Sequence, residues 1–262
     1  MAQPHWQSWV REWVDLVYPS LCAACDTRLL PTQSDFCPSC LAQLIDDPSE
    51  TCPKCAASIG AFTDTRDGCP YCRGEKFPFR STVRMNTYEP PLQPLILAMK
   101  QPGGYRLVES LARLWVEQVA PKLSHQQIDG IIPLPIHFWR RMMRGFNTTD
   151  RLAARLGERL ERPVWRNVLR RSRWTPRQAG LEPSQRRSNV QNSFQIAQST
   201  PIRGKRILLV DDVLTTGSTL AEAARVLLAG GAAEVHLAVV ARGGMKPRAR
   251  LRPSADSADS SS

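Results

Sequence analysis

The sequence of 262 residues has no long apolar run and little histidine. No stretch of about eighteen uncharged apolar residues occurs, so we expect no membrane-spanning segment. The amino terminus has no basic region followed by an apolar one, so we expect no signal peptide and a cytoplasmic protein. None of the four histidines lies within residues 22–72, so a metal site in that segment would have no histidine ligand.

Cysteine is confined to the same segment, where all eight cysteines form four C-x-x-C pairs. Two thiolates at this spacing can bind one tetrahedral zinc ion, and two pairs complete a closed structural site. A cytosolic chain favours zinc over disulfides. We therefore predict a double zinc-ribbon module with two sites, formed by either sequential or interleaved pairs, that folds only with metal. The predicted ligands are Cys22, Cys25, Cys37, Cys40, Cys52, Cys55, Cys69 and Cys72.

The formal net charge is +11, and much of it comes from one arginine-rich segment. Residues 140–187 contain 14 arginines, no lysine and four acids. Arginine suits bidentate contacts with phosphate, and a basic field of this kind attracts polyanions. The segment indicates binding of a nucleic acid or a pyrophosphate. The alternative is ordinary charge on a solvated surface.

Residues 207–220, ILLVDDVLTTGSTL, are the most informative segment of the chain. The apolar run predicts a strand buried on both faces, as in parallel α/β sheets, whose ligands bind beyond the carboxyl ends of the strands. Asp211 and Asp212 lie at that end and can bind sugar hydroxyls or a divalent metal. The turn at Thr215–Thr219 can offer backbone N–H groups and hydroxyls to a phosphate at the start of a helix.

Strand and helix patterns alternate through the rest of the chain, which predicts a mostly parallel sheet flanked by helices. Asn147 is expected to cap its helix, and Gly230 to end the helix after the acidic pair. The expected helices are 92–100, 107–119 and 148–160. The expected strands are 128–134, 164–169, 207–214 and 235–241, with 79–90 as a strand that links two modules.

The patterns divide the chain into four segments. The helical spacing of apolar residues within 1–20 predicts an amphipathic helix. This helix would pack on the rest of the chain, or contact a partner or a membrane surface. Residues 21–78 form the zinc module and 79–242 the α/β domain. Residues 243–262 are basic, then rich in Ser and Asp, and are expected to be disordered. We expect metal removal to unfold the zinc module before the α/β domain.

The 207–220 segment resembles the PRPP-binding motif of type I phosphoribosyltransferases, in which apolar residues precede two acids and a T-T-G-x-T loop. The resemblance implies that Asp211 and Asp212, the candidate catalytic residues, bind the ribose 2- and 3-hydroxyls. It implies that Thr215–Thr219 bind the 5-phosphate and that Mg²⁺ accompanies PRPP. The motif residues are Asp211, Asp212, Val213, Leu214, Thr215, Thr216, Gly217, Ser218 and Thr219.

Two further segments, 131–147 (IIPLPIHFWRRMMRGFN) and 173–190 (RWTPRQAGLEPSQRRSNV), narrow the resemblance. Together with the C-x-x-C pairs and the acidic motif they resemble the ComF/GntX family over residues 22–242. The resemblance implies a type I phosphoribosyltransferase-like domain after the zinc ribbons. A pyrophosphate loop would comprise Leu134, Pro135, Ile136 and His137. A basic, flexible loop region would supply Arg140, Arg144, Arg173, Arg177, Arg186 and Arg187.

The ComF/GntX family is linked to natural competence and to the use of DNA as a nutrient. The resemblance therefore implies a PRPP-binding protein of DNA uptake, with single-stranded DNA or DNA-uptake proteins as further partners. Phosphoribosyl transfer would need charge stabilisation and few protein acids or bases. The alternative is a non-catalytic factor that binds single-stranded DNA, with Trp139 or Trp174 stacking on bases, or that senses PRPP. Lys100 precedes Gln-Pro-Gly-Gly where relatives carry aromatic, basic and glycine residues, so we do not expect it to bind phosphate.

Overall fold

The computed structural model describes residues 19–30, 35–47, 49–136, 142, 146–171, 192–197 and 202–244. The amphipathic helix expected within residues 1–20 and nearly all of the tail expected over 243–262 lie outside these residues. Within the described ranges, no helix combines the length and the apolar character needed to cross a bilayer.

Five helices and eight strands occur in the described part of the chain. The helices are α1 (Pro38–Ile45), α2 (Leu92–Ala98), α3 (Tyr105–Leu123), α4 (Thr148–Leu160) and α5 (Ser218–Ala229). The strands are β1 (Glu50–Thr51), β2 (Ser58–Ile59), β3 (Thr82–Thr87), β4 (Gly130–Pro133), β5 (Leu169–Arg171), β6 (Phe194–Ile196), β7 (Arg206–Leu214) and β8 (Glu234–Arg242).

Four strands form a parallel sheet in the order β3-β8-β7-β4. Successive side chains of a strand point to opposite faces. Leu208 and Val210 of β7 therefore pack in the core beneath α3 and α4, whereas Ile207 and Leu209 pack beneath α5. Burial on both faces explains the continuous apolar run of β7. The predicted parallel, helix-flanked sheet is confirmed.

Helix α4 has the predicted bounds, and Gly230 is the C-cap of α5 as predicted. Asn147 occupies the N-cap position of α4, but its side chain makes no capping hydrogen bond. The reason is local, because the Thr149 hydroxyl lies 2.9 Å from the side-chain oxygen of Asn147 and competes for it.

The strand expected at 164–169 is wrong. Val164 makes one bridge to Ile131 of β4, and the chain then turns at Arg166 and Asn167, of which asparagine favours turns. The next residues form β5, which pairs antiparallel with β6 outside the main sheet. The strand expected at 79–90 is the edge strand β3 of the sheet and not a link between modules, because it pairs in parallel with β8.

The cysteine-rich segment packs directly on the α/β sheet. Cys22, Phe36 and Leu44 belong to the same hydrophobic core as Trp115 of α3. The second half of the segment carries the β1–β2 hairpin and has a smaller apolar cluster, which includes Phe77. One core therefore spans the boundary between the cysteine-rich segment and the α/β sheet.

Candidate functional site

The carboxyl ends of β4 and β7 bring the acidic pair beside the loop that follows β4. The register places Pro133 of β4 opposite Val210 of β7. The backbone N–H of Leu134 then donates to the carbonyl oxygen of Val210 at 2.8 Å. Asp211 is the next residue along β7. The described part of the expected pyrophosphate loop, residues 134–136, thus lies next to the acidic pair.

The loop after β4 contacts β7 and is also held by a contact with α4. The Thr149 hydroxyl, buried in the first turn of that helix, lies 2.7 Å from the carbonyl oxygen of Leu134. The hydroxyl has one proton, which it can donate either to this carbonyl or to the side-chain oxygen of Asn147. Pro135 and Ile136 are partly exposed.

Asp211 and Asp212 form an electrostatically coupled pair. Burial raises the pKa of Asp211 to about 8, and the carboxylate of Asp212 adds to the rise, because both disfavour a second negative charge. Lys100 opposes the rise. Its ammonium nitrogen lies 2.8 Å from Oδ1 of Asp212. Lys100 thus forms an ion pair with one of the two carboxylates.

The hydroxyl-rich turn between β7 and α5 contains a left-handed glycine and two neighbouring hydroxyl groups. Gly217 has a φ of +79° and stands at the N-cap of α5, a position that strains residues with a side chain. The hydroxyls of Thr216 and Ser218 lie 3.0 Å apart. Backbone N–H groups at the start of a helix attract anions, so the turn can hold a phosphate beside the acidic pair.

Much of the expected basic surface lies outside the described residues. This applies to His137 and the six arginines proposed for the loop region, and also to Trp139 and Trp174. These arginines are Arg140, Arg144, Arg173, Arg177, Arg186 and Arg187.

For two cationic residues, the sequence did not predict a position near the acidic pair. Arg171 ends β5 and lowers the pKa of Asp211 electrostatically, and its guanidinium lies 5.4 Å from the ring centre of Phe194 in β6. Lys100 lies in the turn between α2 and α3 and contacts Asp212. No local motif marks either residue as a partner of the acids, because both are brought there by packing between distant segments.

The eight cysteines form two clusters of four, and the pairing is sequential. Within each cluster the sulfur atoms lie within 4.8 Å of one another. Individual S–S distances of 3.6 Å for Cys55–Cys69 and 3.8 Å for Cys52–Cys72 match the roughly 3.8 Å edge of a zinc tetrahedron with bonds of about 2.3 Å. The first cluster is Cys22, Cys25, Cys37 and Cys40; the second is Cys52, Cys55, Cys69 and Cys72. Each can hold one metal ion such as zinc.

Comparison with known proteins identifies the family. Residues 142–259 match the model of the phosphoribosyl transferase domain. The DNA utilization protein YhgH of Shigella flexneri is 35% identical over 172 residues, which are 64% of this chain and 75% of that protein. Competence protein F of Haemophilus influenzae is 34% identical over 178 residues, 66% of this chain and 78% of that protein. The chain belongs to the ComF/GntX family.

This ComF/GntX chain has a type I phosphoribosyltransferase fold, as its matched domain and its helix-flanked parallel sheet show. Among solved structures, the glutamine PRPP amidotransferase of Bacillus subtilis matches 52% of this chain and 27% of that chain, at 20% identity and a TM-score of 0.36. The cysteine clusters fit the zinc ribbons expected at the amino-terminal side of the domain.

Proposed function

We propose that this ComF/GntX chain binds the 5-phosphoribosyl group of PRPP, together with Mg²⁺, and serves DNA uptake or utilisation. One observation carries the proposal: the two carboxylates lie near the carboxyl end of the central strand β7, which ends at Leu214 just before a hydroxyl-rich turn at the start of α5. The names of its relatives, a DNA utilization protein and a competence protein, support the cellular role.

The acidic side chains and the backbone of the site would bind different parts of the ligand. Asp211 and Asp212 would accept hydrogen bonds from the ribose hydroxyls, and the turn from Thr215 to Thr219 would bind the 5-phosphate. The backbone of residues 134–137 would bind pyrophosphate. Two carboxylates cannot enclose Mg²⁺ alone, but this ion is commonly bound by one or two carboxylates plus ligand phosphate oxygens and water. The donor set therefore fits Mg²⁺ that arrives with PRPP.

In this proposal, Lys100 balances negative charge at the acidic pair. Its contact with Asp212 would offset the repulsion that develops between the two carboxylates when Asp211 ionises on ligand binding. The ion pair is mostly buried, with 23% of the Lys100 side chain and 15% of the Asp212 side chain exposed. A ribose hydroxyl can share the second oxygen of Asp212 without breaking it.

Calorimetric titration of PRPP in the presence of Mg²⁺ tests the proposal. Replacing Asp211 or Asp212 by Asn is expected to weaken binding by about ten- to a hundredfold, the usual range for losing a hydrogen bond to a charged group. Glu234→Gln is the matched control, because Glu234 lies at the opposite end of the adjacent strand β8. Its affinity should equal that of the wild type. Absence of binding at millimolar PRPP would refute the site assignment.

A second candidate function is binding of single-stranded DNA. The observation that favours it is a group of four exposed arginines from the end of α4 into β5, which outnumber the two exposed acids of the same stretch, Glu158 and Glu161. The arginines are Arg159, Arg162, Arg166 and Arg170. Such a surface predicts affinity that falls steeply with salt. Oligonucleotide binding that survives Asp211→Asn and Asp212→Asn would place DNA outside the PRPP site. PRPP-dependent release of pyrophosphate, lost in the same variants, would instead establish turnover.

The raised pKa of Asp211 predicts a pH dependence with a definite sign. Its carboxyl is largely protonated below pH 8 in the unliganded chain, whereas Mg²⁺–PRPP needs the ionised form. Affinity should therefore rise with pH between about 7 and 8, by up to about tenfold, since one pKa unit corresponds to a tenfold change. The ligand phosphate, with a second pKa of about 6, is already ionised in this range.

The unliganded chain should show the opposite trend in stability. A carboxyl whose pKa rises from 3.8 to about 8 on folding binds an extra proton between these values, so unfolding becomes easier as pH rises through that window. Urea unfolding at several pH values measures the slope of the free energy of unfolding against pH. Asp211→Asn removes the titrating group and should make the slope smaller. An unchanged slope would contradict the assignment.

A further inference from the structure

The side chain of Arg242 joins the second cysteine cluster to the turn that begins α5. Arg242 ends β8 and is 4% exposed. Its Nε donates to the carbonyl oxygen of Cys55 at 2.9 Å, and its Nη1 donates to the carbonyl oxygen of Leu214 at 2.8 Å. The carbonyl oxygens of Thr215 and Gly243 also lie against Nη1. One buried guanidinium thus contacts a zinc-ligand residue and both residues that lead into the turn.

Phe77 makes a second connection between the same two places. It packs against the apolar cluster that contains all four cysteines of the second cluster. A Cβ atom on Gly217 would lie 3.3 Å from Cε1 of Phe77, so the ring fills the space directly beside the turn. Phe77 also stacks on Phe79, with ring centroids 4.7 Å apart.

The hydrogen bonds of Arg242 orient the turn for an anion. In a planar trans peptide, the carbonyl oxygen and the following N–H point in opposite directions. The Leu214 oxygen also accepts from the backbone N–H of Gly243 at 2.8 Å, whereas the Thr215 oxygen is held by Arg242. Holding both oxygens towards Arg242 therefore directs the N–H groups of Thr215 and Thr216 away from it. Carbonyl oxygens that would repel a phosphate are kept out of the site, and donors are left for the ligand.

We propose that Arg242 is a positioning residue through which the second cysteine cluster holds residues 214–219 in their ligand-binding shape. Metal occupancy of that cluster then sets the affinity of the turn for a phosphoribosyl ligand. The inference rests on the proposed function for its ligand, but the geometry of the turn can be measured without one.

Arg84 of β3 provides a matched control. It is also buried, at 1% exposed, and it also reaches the second cysteine segment, where it donates to the carbonyl oxygen of Ala56 at 2.7 Å. Its other hydrogen bonds go to Asp47 and Ser58, which do not belong to the turn. A purely structural role would make lysine equally harmful at both positions.

The first experiment compares Arg242→Lys with Arg84→Lys in the full chain. An ammonium group cannot span the oxygens of both Cys55 and Leu214, so Arg242→Lys should weaken PRPP–Mg²⁺ binding by about tenfold or more, with zinc content unchanged. Arg84→Lys should keep the wild-type affinity. Equal losses in the two variants would overturn the proposal.

Amide hydrogen exchange of residues 214–219, measured without ligand, separates this inference from the proposed function. Exchange should be faster in Arg242→Lys than in wild type and unchanged in Arg84→Lys. If wild type binds no PRPP, the proposed function fails, yet this comparison still decides the inference. Equal exchange in wild type and Arg242→Lys would refute it, whatever the ligand.

Staged metal removal tests the same coupling by changing the metal occupancy of the clusters instead of Arg242. Cys25 of the first cluster is exposed, whereas the four cysteines of the second cluster are at most 3% exposed, so a chelator should reach the first metal ion sooner. The discriminating measurement is the release rate of each metal ion, because loss of both ions is expected to unfold the chain and would abolish PRPP binding in any case. Coupling between sites is reciprocal, so PRPP should slow release of the second metal ion alone. Binding that persists after both losses would exclude the coupling.

Discussion

Removing zinc from the two cysteine clusters is expected to unfold the whole described fold in one transition. We propose that each cluster holds one structural zinc ion. The first cluster contributes Cys22 to the core that also contains Trp115 of α3. The backbone of β3 is held by the second cysteine segment, because Thr82 N–H donates to the carbonyl oxygen of Pro53 at 2.9 Å. Because of this shared packing we expect one joint transition, whereas the sequence alone led to the expectation that the cysteine module unfolds first.

The size of the zinc-binding free energy, compared with the stability of a domain, favours complete unfolding. Zinc binding at a structural site supplies about 10–16 kcal/mol at pH 7, which is comparable to the whole stability of a domain, about 5–15 kcal/mol. Loss of both ions should therefore abolish the folded state and not merely loosen it.

Titration with a strong chelator, followed by far-ultraviolet circular dichroism and by released zinc, measures the transition. About two zinc ions per chain should be released, one for each four-cysteine cluster. Helical signal should fall as the second ion leaves, and excess zinc added back serves as the control for chelator effects. Full zinc loss that leaves the helical signal of α3 and α4 intact would show that the α/β sheet folds without the cysteine segment.

Asp47→Ala is expected to destabilise the chain by about 3–5 kcal/mol, the cost of leaving a buried charge without its partner. The Arg84 side chain is 1% exposed, and its Nη2 lies 2.9 Å from Oδ2 of Asp47. Nε and Nη2 of Arg84 both donate to this carboxylate. The ion pair lies between β3 and the segment that joins the two cysteine clusters, so its loss leaves a cation at the centre of that contact.

The chain offers a matched control in the ion pair of Arg113 and Asp35. This pair also joins the cysteine segment to the α/β domain through two hydrogen bonds, at 2.8 and 2.6 Å. The Arg113 side chain is 52% exposed, so solvent screens the interaction and Asp35→Ala should cost about 1 kcal/mol or less. Urea unfolding of the two variants measures the difference.

A double replacement distinguishes the loss of a partner from a general defect in packing. Arg84→Met combined with Asp47→Leu removes both charges, and replacing a buried ion pair by apolar residues is often neutral. The double variant should therefore be more stable than Asp47→Ala. Equal costs for Asp47→Ala and Asp35→Ala would contradict the assignment of Arg84 as a buried, dependent cation.

The elements predicted well from the sequence are those whose signal is local. The apolar run before Asp211 required burial on both faces, and the structure places β7 in the interior of a parallel sheet. The bounds of α4 followed from its apolar stripe and its cap position. The C-x-x-C spacing predicted two four-cysteine clusters because two nearby thiolates must share a metal ion.

The errors concern residues whose structure depends on distant segments. Residues 164–169 have the composition of a strand, but after Val164 the chain turns away, and Leu169 pairs with β6. Residues 82–87 alternate as a strand would, yet only the pairing with β8 makes them part of the main sheet. Strand propensity therefore predicts only the local backbone conformation, whereas the tertiary structure determines which strands pair.

By itself, the sequence determined the family, the parallel α/β sheet, the acidic pair with its turn, and the number of cysteine clusters. Each of these follows from residues close together in the chain, where spacing and chemistry limit the possible structures. Tertiary structure decided that the cysteine pairs are sequential, that Lys100 meets Asp212, and that Arg242 connects Cys55 to the turn before α5. These contacts join residues far apart in the chain, and only the packing of the sheet against the cysteine segment brings them within bonding distance.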